Sequence, residues 1–353
     1  LIISFFFYFF HKISPIFSNL LSLLYHKDKK SVFVFYYDKI FKRNKLQVRV
    51  GEEMYLREES LITKAKSSKK LPNFVWGTVL VLLIMFAGQM MGGICLDPVY
   101  FFLNIFSSNE DLIILFISLM ADIFVLLLIF IRVKFIEKRK ISTLGFAKEN
   151  WLKKYAKGFL VGFAMMASVV GILFLFKGVK VETNPIQPVG VKAIGGVLFI
   201  LIGWIVQGAT EEIVTRGWFM NVIGARYNAT FALILSSSVF GILHLLNPQV
   251  SIMAVINIIL VGFFYGIYVM KSNDLWAVCG MHTAWNFAQG NIFGFEVSGI
   301  NVEVSTLFDL KLVGNDIITG GSFGVEGGLI ATLVLMASIF ILLKLDKKGY
   351  LTK

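Results

Sequence analysis

The sequence predicts an all-α, polytopic membrane helix bundle of about eight transmembrane helices. Hydrophobic residues make up 57% of the 353-residue chain and charged residues only 16%, whereas a soluble domain averages about 25% charged residues. The mean hydropathy is +0.76. Apolar runs that approach the ~20 residues needed to cross a bilayer recur along the chain, separated by short polar stretches.

Each predicted span is an apolar run of near-spanning length with polar, glycine or proline residues near its ends. In chain order, the predicted spans are 74–95, 111–133, 156–176, 193–222, 229–247, 250–270, 274–292 and 324–344.

The Lys and Arg residues that produce the net charge of +12 cluster in the loops between apolar runs. The loop 132–157 carries nine Lys and Arg residues, whereas the loop 96–110 carries none. Basic loops of a membrane protein face the cytoplasm. The pattern therefore predicts both termini in the cytoplasm, and it argues against nucleic acid as a partner.

The chain divides into four segments by composition. The core of the protein is 74–345, preceded by a basic cytoplasmic segment, 54–73, and followed by a cytoplasmic tail, 346–353. The first methionine is Met54, and the preceding "GEE" can be encoded by a purine-rich ribosome-binding sequence. We therefore expect residues 1–53 to be a doubtful extension that the natural protein does not contain.

The loop 293–323 is rich in glycine and long for a connection without structure of its own. We expect it to fold over the outer face or to dip into the bundle.

Two adjacent carboxylates interrupt the fourth predicted span. Glu211 and Glu212 follow an uncharged run, and a charge at such a depth costs roughly 2.5–3.5 kcal/mol. Arg216 is placed at i+4 from Glu212, so it lies on the same helical face and can neutralise it. Glu211 lacks this partner, which makes it a candidate general base.

Two further spans place polar side chains one helical turn apart. Phe240 and His244 share a face in the fifth span, and His282 and Asn286 share one in the seventh. Polar residues inside spans face the bundle interior or a water-filled cavity. The three spans are therefore expected to bring these groups together.

The set of side chains fits the activation of water. Glu211 with His244 can deprotonate a water that attacks a peptide carbonyl, while His282 and Asn286 donate hydrogen bonds to the oxyanion that forms. Alternatively, Glu211, His244 and His282 form a plausible zinc ligand set with an open position for water. The residues alone leave the two mechanisms open.

Two other classes of function use the same residues. A proton-coupled transporter would use Glu211 and the histidines as a relay, and a non-catalytic membrane partner of a signalling or immunity system would use them for packing. His244 also falls near the end of its span, so convergence with Glu211 requires a tilted or displaced fifth helix.

The three motifs resemble those of a known family. "EEIVTR" has the form EExxxR, "FGILH" the form FxxxH and "HTAWN" the form HxxxN. In this order and within spans, they are similar to those of the CPBP family, also called Abi: the CAAX prenyl proteases and bacteriocin-processing proteins. The resemblance covers roughly 74–345 and extends to "STLGF", "FGFEVSG" and "TGGSFGVEGGLIATL".

The resemblance implies an intramembrane endopeptidase of eight helices with a cavity open to one side. It implies that Glu211 and His244 activate water and that His282 and Asn286 stabilise the oxyanion. Glu212 and Arg216 carry over as supporting residues, and we add Phe240 to them. Members are described as metalloproteases or as metal-free glutamate proteases, so the cofactor is either zinc or none.

The expected substrate is a peptide or membrane protein cut near the bilayer. A composition rich in Phe, Ile, Lys and Asn is typical of a low-GC bacterium, in which prenylated CAAX proteins are not expected. The expected location is the bacterial plasma membrane, and the expected roles are bacteriocin immunity or peptide maturation.

Overall fold

The computed structural model describes residues 60–106, 109–302 and 304–347. The predicted extension 1–53 lies outside these residues, as do the beginning of the basic segment and the end of the C-terminal tail.

Most described residues are helical, and three short stretches between helices are π-helical. The α-helices and strands are α1 (Leu61–Ala65), α2 (Phe74–Phe106), α3 (Glu110–Met120), α4 (Asp122–Ile131), α5 (Trp151–Leu175), β1 (Val179–Val181), α6 (Ile194–Glu212), α7 (Met220–Arg226), α8 (Ala229–Leu243), α9 (Ile252–Ser272), α10 (Trp276–Phe287), β2 (Leu310–Leu312), α11 (Asp316–Thr319) and α12 (Leu329–Lys347). The π-helical stretches are Arg132–Ile136, Ile213–Phe219 and Ala288–Ile292.

The predicted fold class is confirmed. Within the described ranges, seven helical stretches are long and apolar enough to cross a membrane, and the only sheet there has two short strands. The protein is therefore an all-α, polytopic membrane bundle.

The seventh predicted span, 274–292, differs from the other seven. Its α-helix α10 has 12 residues and the following π-helical stretch 5, so it is too short to qualify as a span by length. Every residue from Ala277 to Phe287 is buried. α10 is thus an interior helix, and its polar side chains contact protein rather than lipid.

Glycines allow α5 to approach α10 closely. A Cβ atom at Gly158 would lie 1.9 Å from the carbonyl oxygen of Ala277, and one at Gly162 would lie 2.2 Å from that of Met281. Gly158 and Gly162 form the GxxxG spacing that lets membrane helices pack backbone to backbone. This contact fixes the height of α10, and with it the position of His282.

We expect Gly162→Ala to destabilise the protein by about 1–3 kcal/mol, because the methyl group must push α10 away. Gly171→Ala in the same helix is the matched control, since a Cβ there meets nothing within 4 Å. Thermal unfolding of the purified protein in detergent measures both. Equal midpoints for the two variants would show that the α5–α10 contact tolerates a side chain.

The loop after α10 folds back onto the bundle. Its strand β2 pairs with β1 in antiparallel register, with Val179 opposite Leu312. Deeper in the loop, the buried carboxylate of Glu326 accepts hydrogen bonds from Trp285 Nε1 at 2.9 Å and from the backbone N–H and hydroxyl of Ser298 at 2.7 and 2.8 Å. Glu326 therefore fastens the loop to α10, beside Asn286.

Candidate active site

The two adjacent glutamates lie where the α-helix α6 continues into a π-helical stretch. Glu212 ends α6, and the next seven residues, Ile213–Phe219, form a π-helical stretch that is buried throughout. Such wide turns are frequent at functional sites because they change which side chains face a neighbour. At the junction, the Thr215 hydroxyl donates to the Glu211 carbonyl at 2.5 Å.

Glu212 is the centre of a fully buried charge cluster. Arg216 Nη1 donates to Glu212 Oε1 at 2.9 Å, and the side chains of both residues are 0% exposed. The i,i+4 pair inferred from the motif is therefore present. His282 Nδ1 donates to the same oxygen at 2.9 Å, so Glu212 joins the first motif to the third and fixes the orientation of that imidazole.

Two aromatic rings enclose the cluster. The guanidinium carbon of Arg216 lies 4.2 Å from the centre of the Phe240 ring and 5.8 Å from that of Tyr265. Contact with aromatic faces stabilises a cation that water cannot reach. Phe240 was expected as a supporting residue, whereas Tyr265 belongs to α9 and to none of the three motifs.

Glu211 has a different environment. Its side chain is 17% exposed, and its Oε2 lies 3.7 Å from His282 Nε2. Oε1 accepts a hydrogen bond from Gln207 Nε2 at 2.8 Å, whereas the buried Oε2 has no hydrogen-bond partner among the described residues. A buried carboxylate oxygen without a protein donor requires an explanation, and a reacting water is one.

Gln207 links Glu211 to the third motif. Its Oε1 accepts from Asn286 Nδ2 at 2.9 Å, while its Nε2 donates to Glu211. Sequence reasoning missed this residue. Its i,i+4 spacing to Glu211 is the signal that could have found it.

His244 lies beside the cluster rather than within it. It follows α8 in a short 3-10 turn, and its Nδ1 donates to the Phe240 carbonyl at 2.8 Å. Its ring is 5.0 Å from that of Phe240, whose other contacts include the His282 ring at 6.1 Å. No ion pair within 4.0 Å joins His244 to a carboxylate in the described part of the chain. Because Nδ1 donates, Nε2 of the neutral ring is a hydrogen-bond acceptor.

The three candidate metal ligands do not fit a shared ion in this arrangement. Zinc bonds to nitrogen and oxygen are about 2.0–2.2 Å long, so its ligands must converge closely. Among residues 60–106, 109–302 and 304–347, no group of three His, Cys, Asp or Glu side chains is placed to hold one metal ion. We therefore derive no step through a metal.

Comparison with known proteins bears on the same segment. The family model of the type II CAAX prenyl endopeptidases, Rce1-like, matches residues 193–288. This segment contains all three motifs. The curated protein "Uncharacterized protein YyaK" of Bacillus subtilis is 24% identical over 231 residues, which cover 61% of this chain and 76% of that protein. No solved structure matches the chain.

The family match agrees with the resemblance inferred from the motifs. The spans, the buried motif residues and the match point to the same group of proteins. Residues 193–288 of this chain are thus similar to the type II CAAX prenyl endopeptidases.

Proposed function

We propose that this protein is an intramembrane endopeptidase that hydrolyses a peptide bond of a membrane-associated protein or peptide. The observation that carries the proposal is the pair of atoms Glu211 Oε2 and His282 Nε2, 3.7 Å apart. Both point to one place, and the glutamate oxygen has no protein donor. A water can hydrogen-bond to both atoms at this separation.

In the proposed reaction, Glu211 takes a proton from a water whose oxygen then bonds to the carbonyl carbon of the scissile peptide. The carbonyl π electrons move to oxygen and form an oxyanion, which Asn286 and protonated His282 stabilise by hydrogen bonds. The proton on Glu211 then passes to the amide nitrogen as the carbon–nitrogen bond breaks. Water is consumed, and an acid and an amine are released.

The surrounding residues hold these groups in place. Because Nδ1 of His282 donates to Glu212, its Nε2 donates to an oxyanion only when the ring is protonated. The resemblance assigns His244 to water activation, and its free Nε2 fits a second contact to the water once a substrate is bound.

For the biological role we propose bacteriocin immunity or peptide maturation at the plasma membrane, with both termini in the cytoplasm. The support is the motif resemblance and the basic loop 132–157. The metal-free route is the proposed mechanism because the donor set does not converge on one ion.

The experiment is a comparison of membrane-associated and secreted peptides from cells with and without the protein. The endopeptidase proposal expects specific new termini in the producing cells, and their formation in purified proteoliposomes should survive a strong zinc chelator. Identical peptide profiles, together with proton flux into protein-containing vesicles, would instead identify a transporter.

Gln207 bridges Glu211 and Asn286 through its side-chain amide. Gln207→Leu removes both hydrogen bonds of this bridge while keeping a similar volume, so Glu211 and Asn286 lose their fixed separation. We expect turnover to fall roughly 10- to 100-fold with little change in KM. The rate of product formation in proteoliposomes measures this. A KM that rises while kcat is unchanged would assign Gln207 to substrate binding instead.

A further inference from the structure

A basic hollow lies at the end of the second span, and none of its lining residues belongs to the candidate active site. It is an open depression of about 700 Å³, formed where the π-helical stretch Arg132–Ile136 ends and the chain turns back. Its lining residues are Lys134, Phe135, Lys138, Arg139, Lys140, Ile141 and Ser142.

Three of the four basic side chains that line the hollow have no acidic partner among the described residues. Lys134, Lys138 and Lys140 are exposed, and none forms an ion pair with an acidic residue of the described segments. The acid nearest in sequence is Glu137, which is fully buried and already bound to Arg139 at 2.7 Å and Arg132 at 3.3 Å. The three lysines are therefore available to pair with an anion outside the described residues.

Arg139 gives the hollow a buried donor. This residue is only 5% exposed. Its Nε donates to Glu137 at 2.7 Å and its Nη1 to Thr143 at 2.8 Å, which fix the plane of the guanidinium. Its Nη2 is buried and has no acceptor among the described residues. A guanidinium held in this way is suited to an oxyanion such as a phosphate.

The turn around residues 137–139 is held in place by hydrogen bonds and by an unusual backbone conformation. Glu137 also accepts from Trp218 Nε1 at 2.6 Å, which ties the turn to the interior of the bundle. Lys138 has a φ of 55°, the left-handed conformation that residues other than glycine rarely adopt. The chain reverses there, and Arg139 N–H donates to the Val133 carbonyl at 3.1 Å.

Apolar side chains on the same stretch indicate the class of ligand. Phe135 is 63% exposed and Ile136 43% exposed, directly beside the exposed lysines. Lysines next to exposed apolar side chains at the end of a span are placed at the boundary between lipid tails and headgroups. A free anion would interact only with the basic side chains. A phospholipid supplies both an anionic phosphate for the basic side chains and acyl chains for the exposed apolar side chains.

We propose that this hollow binds the headgroup of an anionic phospholipid, with the phosphate between Arg139 and the lysines 138 and 140 and the acyl chains along Phe135 and Ile136. The site is independent of the proposed peptidase activity, since none of its residues belongs to the three motifs.

The test uses the full chain purified in a neutral detergent and titrated with phosphatidylglycerol, with phosphatidylcholine of the same acyl chains, and with inorganic phosphate. The readout is the thermal unfolding midpoint. We expect a saturable rise with phosphatidylglycerol alone. In Lys138→Gln/Lys140→Gln, the half-saturating concentration should rise roughly 10- to 30-fold, because each lysine near a headgroup contributes to anionic lipid binding.

The matched control is Lys153→Gln/Lys157→Gln, which removes two exposed charges from α5 outside the hollow. It should keep the wild-type half-saturating concentration. An equal rise of the half-saturating concentration in both double variants would mean that the lipid is attracted by the overall positive charge of the protein. That result would overturn the proposal. An equal rise with phosphatidylcholine, or with inorganic phosphate at the same concentration, would overturn the lipid assignment. Comparing half-saturation, rather than absolute midpoints, keeps the test valid if a variant is less stable.

Discussion

Glu211→Gln is expected to eliminate the peptide termini that depend on this protein while leaving the protein folded in the membrane. A glutamine side chain has nearly the same shape and can still accept the hydrogen bond from Gln207 through its Oε1. It cannot take a proton from water at neutral pH. Loss of a general base typically slows a reaction by about 10²- to 10⁴-fold, which removes the products from a cellular peptide profile.

The matched control is Glu182→Gln in the segment between α5 and α6. Glu182 binds Lys311 at 2.7 Å, and this hydrogen bond lowers the pKa of Glu182, so the residue is ionised at neutral pH. Both substitutions therefore convert a glutamate to an amide, but only Glu211 belongs to the candidate site. Quantitative profiling of membrane and secreted peptides compares the two variants at equal protein level. Unchanged products in Glu211→Gln would reject Glu211 as the base.

Arg216→Met is expected to produce the largest loss of stability among the site variants. Removing one partner of a buried ion pair leaves the other charge uncompensated, at a cost of about 3–5 kcal/mol. Among the described residues, Glu212 would then keep His282 as its only side-chain partner. The side chains of Glu212 and Arg216 are both 0% exposed, so solvent cannot replace the lost contact.

The double variant Glu212→Gln/Arg216→Met makes this prediction specific. It removes both charges together, and we expect it to be more stable than Arg216→Met alone, because no unpaired carboxylate remains. Denaturant unfolding of wild type, both single variants and the double variant completes the cycle. Additive losses would mean that the ion pair contributes no coupling and that Arg216 stabilises the fold through its other contacts, which are the aromatic rings and the Thr215 hydroxyl.

His282 connects these two predictions. Its Nδ1 donates to Glu212 and its Nε2 lies 3.7 Å from Glu211 Oε2, so it lies between the buried ion pair and the proposed base. The stability lost in Arg216→Met and the activity lost in Glu211→Gln are thus separable effects, although the imidazole of His282 lies next to both altered sites. The double variant is expected to be more stable than Arg216→Met and yet inactive, because glutamine at position 212 no longer offers His282 a carboxylate.

Features that depend on residues close together in the sequence could be predicted from the sequence alone. The apolar runs predicted the bundle because a bilayer demands about 20 apolar residues for each span. The pairing of Glu212 with Arg216 followed from i,i+4 geometry, which every α-helix imposes on its surface. The resemblance to the family followed in the same way, because the three motifs are local patterns.

Contacts between helices were decided only by the tertiary structure. The bond from His282 to Glu212 and the Asn286–Gln207 contact depend on the depth, tilt and rotation of α10 against α6, which no local spacing encodes. Backbone contact at Gly158 and Gly162 sets that depth. The same packing left His244 beside the ring of Phe240 instead of against Glu211. The sequence by itself determined which polar groups enter the membrane, and close packing of rigid helices determined which of them meet.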